Sequence, residues 1–185
     1  MGGGSTRLGG MLRLVMAGLA VAPAACSGRD EVAREGAWEF KVDSAAGGGP
    51  GAWLRGTGRE GPRGKPQTVA AILSFDCRAD HSGATIMTTQ ALRQGTTEAE
   101  LSLDGGPARR LPGFAGTTQT GGQVVLEAPL DSALDLFRGH DSATVEYADG
   151  AGSSKTTAVF PLEGLERFRE RFLAACGPRT TTGGR

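Results

Sequence analysis

Residues 45–66 read AAGGGPGAWLRGTGREGPRGKP, and the fold turns on what this stretch does. Its density of glycine and proline opposes a long regular element, because glycine costs backbone entropy when ordered and proline brings no N–H to a ladder. The apolar piece AWLR (52–55) can pair briefly, but the stretch as a whole reads as a flexible Gly/Pro-rich loop over 45–66.

Before that loop, CSGRDEVAREG (26–36) is polar and reads as a tether, and AWEFKVD (37–43) puts Trp38, Phe40 and Val42 on one face, as a half-buried strand does. After it come TVAAILSFDC (68–77), GATIMTTQAL (83–92) and TTEAELSLDGG (96–106), separated by the turn signals ADHSG and RQG. Their apolar sets are Val69, Ile72 and Phe75, then Ile86, Met87 and Leu92, then Ala99, Leu101 and Leu103. They read as an antiparallel meander. GQVVLEAP (122–129), SATVEYAD (142–149) and KTTAVFPL (155–162) add three strands, with a short helix over LDSALDLFRGH (130–140) that Asp131 would cap and Gly139 would stop.

The last element, FPLEGLERFRERFLAACG (160–177), places Leu165, Phe168, Phe172 and Cys176 at spacings of three and four, on one helical face. Burying its two phenylalanines and leucine is worth roughly 1.5 to 3 kcal/mol each, so this face must dock on a sheet; a partner-binding helix is the alternative. About seven short strands need two packed sheets or a partly closed barrel. The expected fold is a mainly β protein, an antiparallel β-sandwich of about seven strands in one domain over 37–177, with the final helix packed on a sheet and a disordered tail over 178–185.

Export follows from the N-terminus. Arg7 and Arg13 precede the apolar run LVMAGLAVAPAAC, no acidic residue occurs before Asp30, and the run is too short to span a bilayer, so 1–25 reads as a signal peptide, with Met1 or Met11 as its start. Cys26 ends PAAC, which is similar to a lipobox with Pro23 in the usual leucine position. A lipid anchor on Cys26 is expected, a plain cleavage after Ala24 being the alternative. Ser27 then points to outer-membrane delivery. Outside the cytoplasm thiols oxidise where geometry allows, and Cys77 and Cys176 are the natural pair, closing a loop of about a hundred residues worth about 4 to 5 kcal/mol in chain-entropy models. Two buried free thiols remain the other reading; a zinc site lacks any C-x-x-C or H-x-x-x-H spacing.

Chemistry is sparse. The chain carries 20 basic and 20 acidic residues, and losing Arg7 and Arg13 with the signal leaves a balance of about −2, which attracts no nucleic acid. GTGREG (56–61) matches G-x-G-x-x-G without the strand-to-helix setting a dinucleotide site needs, and Lys65 lacks the following Ser or Thr of a P-loop. The two histidines, His81 in ADHSG and His140 in GHDSA, sit beside Asp80, Ser82, Asp141 and Ser142, the residue types of tight turns rather than of a constrained catalytic elbow. Carboxylate pairs such as Glu98 and Glu100, or Asp131 and Asp135, fall on solvated faces. No catalytic, cofactor or metal residues are expected.

In order, AILSFDCRADHSGATI (71–86), AELSLDGGPARRL (99–111), LDSALDLFRGHDSATVEY (130–147) and AVFPLEGLERFRERFLAACG (158–177) resemble the VasI-type accessory proteins of type VI secretion and exported β-sandwich proteins like them. Phe160, Leu162, Gly164 and Leu165 match that family's F-x-L-x-G-L run, Cys176 its helix-closing cysteine, and Cys77 stands where the partner cysteine would be. The resemblance implies a non-enzymatic envelope protein that binds an envelope partner. A periplasmic binder of a small apolar ligand held between the sheets is the second expectation.

Overall fold

A computed structural model describes residues 31–43, 51–78, 82–92, 94–148 and 155–177, without the side chains of Glu31 and Glu98. The expected signal peptide, Cys26 and the 178–185 tail lie outside the described residues, as do Asp80 and His81.

Ten strands and two helices follow in the order β1 (Glu31–Glu35), β2 (Trp38–Asp43), β3 (Gly51–Pro62), β4 (Val69–Cys77), β5 (Ser82–Thr88), β6 (Gly95–Leu103), β7 (Arg109–Thr118), β8 (Gly121–Leu126), α1 (Leu130–Asp135), β9 (Ser142–Ala148), β10 (Lys155–Pro161) and α2 (Leu165–Cys176). The sheet runs β1-β2-β3-β10-β9-β6-β7-β8-β5-β4, and β4 returns to pair with β3. Eight antiparallel strands therefore close into a barrel, with β1 and β2 appended outside the ring. The expected sandwich is overturned by this closure.

Closure depends on the stretch expected to be a loop. Residues 51–62 form a strand of 12 residues. One edge of β3 pairs with β4 from Ala52 to Glu60. Its other edge pairs with β2 over Gly51 to Gly56, then with β10 over Arg59 to Pro62. The strand alternates cleanly: Ala52, Leu54, Gly56, Gly58 and Glu60 are buried, while Trp53, Arg55, Thr57 and Arg59 face outward. Glycine stands at two inward positions because neighbours already fill the space. A Cβ on Gly56 would lie 2.7 Å from the Trp38 ring, and one on Gly58 would lie 2.3 Å from the Val159 carbonyl oxygen and 2.4 Å from the Phe160 ring. Here glycine marks close approach, not flexibility.

Other expectations change with it. Residues 31–35 of the expected tether form β1, paired with β2. The expected meander is broken, since β5 pairs with β8 while β6 pairs with β7 and β9. Strand β7, which carries Pro112, Gly113 and Gly116, had no counterpart in the sequence reading. Asp131 does not cap α1: the N-cap is Pro129, with Asp131 in the first turn, where its charge complements the helix dipole. Gly139 is not the stop either: α1 ends at Asp135 with Leu136 as its C-cap, and Gly139, at φ 74°, lies in the turn that follows.

One end of the barrel is apolar. Helix α1 packs on β4 and β5, α2 on β2 and β3. Trp38 stacks on Phe75 at 6.2 Å, Phe137 meets Phe75 edge-on at 5.8 Å, and Phe40 stacks on Phe168 at 6.1 Å. Leu165, Phe168 and Phe172 are buried, as the helical spacing demanded. The Trp38 indole donates to the Pro161 carbonyl at 2.9 Å, so the ring's polar atom is satisfied in the core. Cys77 and Cys176 are disulfide-bonded with Cα atoms 5.7 Å apart, tying the end of α2 to the end of β4.

Candidate functional site

The opposite end is polar. Glu60, on the last inward position of β3, is completely buried. Its Oε1 accepts from the Thr89 amide at 2.9 Å and the Thr89 hydroxyl at 2.7 Å, and its Oε2 accepts from the Tyr147 hydroxyl of β9. Residues 89–92 lie across this mouth of the barrel. The Thr88 hydroxyl donates to the Gln90 carbonyl at 2.9 Å, the Thr156 hydroxyl reaches the Gln90 side-chain oxygen at 3.2 Å, and the Thr117 hydroxyl donates to the Leu92 carbonyl at 2.8 Å. Leu92 itself is buried. Burial, then the bond to Glu60 and its charge, pushes the Tyr147 phenol far above its ordinary value, so it stays protonated. A carboxylate held by three donors under a covering segment is a latch on the barrel mouth. Glu60 is not legible in the sequence because GREG reads as loop: with glycine at the inward positions 56 and 58, the apolar alternation of β3 does not extend past Leu54.

At the helical end, His140 Nδ1 and Asp104 Oδ2 lie 2.7 Å apart. Asp104 Oδ1 also accepts the amides of Asp141 at 3.0 Å and Ser142 at 2.9 Å, and the Ser142 hydroxyl at 3.4 Å. The serine thus turns to the aspartate and not to the histidine, which breaks the nucleophile-to-base order of a triad. The bond from His140, followed by the Ser142 amide, holds the Asp104 carboxyl below its usual range. Asp104 has φ 50° in the β6–β7 turn, and its three partners come from the segment entering β9, so the cluster clamps two connections together. The turn reading of GHDSA stands, with Asp104 as the partner that sequence did not indicate.

The remaining motifs fall within ordinary structure. GTGREG lies inside β3 and opens no helix. Glu100 meets Lys155 at 2.7 Å, and this bond and charge lower its carboxyl. Asp135 pairs with Arg169 of α2. Among the described residues no group of three or more His, Cys, Asp or Glu could hold a metal.

A shape suited to binding lies outside the barrel. Where β2 and β10 part from the shared edge of β3, a groove of about 620 Å³ opens over Gly58, walled by Val159 and Pro161 on one side and Ala70 and Gln67 on the other. Arg59 is the charged residue of its lining, donating only a 3.4 Å contact to the Thr68 carbonyl and otherwise exposed. The lining suits an apolar body bearing an anionic group.

No family model and no curated protein matches this chain. Among solved structures, the invasion associated protein B of Bartonella henselae superposes with a TM-score of 0.51, covering 78% of this chain and 96% of its own, at 12% identity. A likeness at that identity is one of fold.

Proposed function

We propose that this chain is a non-catalytic protein of the cell envelope, exported through 1–25, anchored by a lipid on Cys26, and acting by binding another envelope component with the outside of its barrel. The observation that carries the reading is a barrel stapled by Cys77–Cys176 and filled from end to end, by Trp38, Phe75 and Phe137 at one mouth and the Glu60 latch at the other. A disulfide suits an oxidising compartment, and a filled interior directs recognition to the surface. Membership of the VasI-type group belongs to the same proposal. Phe160, Leu162 and Leu165 are buried where β10 turns into α2, which gives the shared run a packing role.

Deleting the gene and separating native envelope complexes tests the reading. Loss of one complex is expected; intact complexes together with an accumulating small-molecule substrate would overturn it. For the anchor, the protein should enter the detergent phase of a Triton X-114 extraction and Cys26→Ala should leave it. Equal partitioning of the two forms rejects lipidation.

The groove over Gly58 favours a second reading, a periplasmic binder of small ligands that holds them on the surface rather than between sheets. Native mass spectrometry of the purified protein decides: a co-purified molecule released by Arg59→Ala supports it, and apo protein alone argues against it.

A further inference from the structure

The groove over Gly58 takes its polar character from the way β10 ends. β10 pairs with β3 from Thr156 opposite Pro62 to Val159 opposite Arg59, and the same register carried two residues further sets Pro161 against Thr57. Proline has no N–H, so the ladder offers the Thr57 carbonyl no donor and stops there. The Thr57 amide is already used, donating to the Ala37 carbonyl at 2.9 Å, and the Pro161 carbonyl accepts the Trp38 indole at 2.9 Å. Among the described residues, no amide outside the strand ladders donates to the Thr57 carbonyl. Two residues along the strand, Arg59 lines the same groove from the outward face, its Cα about 7 Å from that of Thr57 by strand geometry. Arg59 meets no carboxylate among the described residues, and its guanidinium has donors beyond the 3.4 Å contact to the Thr68 carbonyl. An open acceptor and an unpaired cation therefore stand close together, beside apolar walls of Val159, Pro161 and Ala70.

We infer that this groove takes the carboxyl end of a polypeptide whose last residue is apolar; the inference rests on the reading of this chain as a protein that binds an envelope partner with the outside of its barrel. The last residue of a peptide carries the three complements together. Its amide N–H meets the Thr57 carbonyl, its carboxylate meets the Arg59 guanidinium, and its side chain lies between Val159 and Ala70. Recognition of this kind joins a strand-like hydrogen bond to the capture of a terminal charge. A fatty acid brings the charge and the apolar body but no donor, and would cover the carbonyl without pairing it. A free phosphate brings neither donor nor apolar body to fill the walls. One hydrogen bond, one exposed ion pair and one half-covered side chain give a dissociation constant on the order of 0.1 to 1 mM.

The test is an NMR titration of the isotopically labelled exported protein carrying Cys26→Ala, with acetyl-Gly-Ala-Val added up to about 5 mM. The amide signals of Thr57, Gly58 and Val159 shift and saturate. The same peptide with a terminal carboxamide binds about tenfold or more weakly, because Arg59 then has no charge to meet. The peptide methylated on the nitrogen of its valine binds about threefold or more weakly, because it has no N–H for the Thr57 carbonyl. Arg59→Gln binds acid and carboxamide alike at an unchanged melting temperature, since Arg59 is exposed. Absence of a saturating shift at these residues overturns the inference, as does equal affinity for the three peptides. Decanoate bound as tightly as the acid peptide also overturns it, and assigns the groove to a fatty acid. None of these results touches the loss of an envelope complex on gene deletion, so the inference and the reading it rests on can fail separately.

Discussion

The two mouths of the barrel are closed by different physics. At one, α1 and α2 cover the strand ends with Phe137, Phe168 and Phe172, and a covalent bond holds the cover in place. At the other, a buried carboxylate gathers three donors from two segments, Thr89 and Tyr147, and the cover is a short connection between strands. Apolar burial is non-directional and survives the loss of any single contact in part. A hydrogen-bonded latch depends on one group, since removing the acceptor leaves its donors buried without partners. The polar mouth should therefore be the more fragile under point substitution, although it carries no crosslink.

Glu60→Ala is the largest expected effect. It strips the acceptor from the Tyr147 hydroxyl and from both Thr89 donors, a loss of about 3 to 5 kcal/mol, which lowers the melting temperature by about 10 to 15 °C for a domain of this size. Glu60→Gln keeps the volume and one acceptor, and should lose clearly less. Equal melting temperatures for the two variants would show that the space filled by the side chain matters and the latch does not.

Cys176→Ser comes next. Releasing α2 from β4 gives up about 2 to 4 kcal/mol, or about 5 to 10 °C, and reductant added to the parent protein should reproduce the shift. The buried face of α2 remains, so the helix stays docked and the far-ultraviolet circular dichroism is unchanged below the transition. A helix that melts away before the barrel on reduction would show that the bond, and not Phe168 and Phe172, holds this mouth shut.

The same contrast explains what the sequence could reveal. The apolar mouth announces itself: α2 repeats its hydrophobics every three or four residues, and two cysteines in a chain expected to be exported have little else to bond. Strands such as β6 and β9 alternate visibly. The strand that decides barrel against sandwich does not, because at Gly56 and Gly58 the inward space is filled by Trp38 and Phe160, side chains that belong to other strands. Strand order is hidden for a related reason, since the pairing of β5 with β8 depends on closure around the whole ring. The latch was unreadable because Glu60 is inward only if β3 is a strand, and the groove because it exists only where β2 and β10 diverge.

The smallest expected effect separates the mouths by pH alone. Tyr147 is the single tyrosine of the chain, so phenolate absorbance reports only on the polar mouth. Its folded value is raised above the unfolded value of about 10, so the folded state retains a proton that the unfolded state releases. The associated stability is fully present below about pH 10 and declines above it, by up to about 1.4 kcal/mol for each pH unit. Between pH 9 and 11 the folded protein should therefore show no phenolate absorbance, while its melting temperature falls more steeply than that of Tyr147→Phe. Phenolate appearing near pH 10 with the circular dichroism intact would mean that Tyr147 is open to solvent and the mouth is not latched. The disulfide mouth should be indifferent to the same titration, because paired cysteines do not ionise.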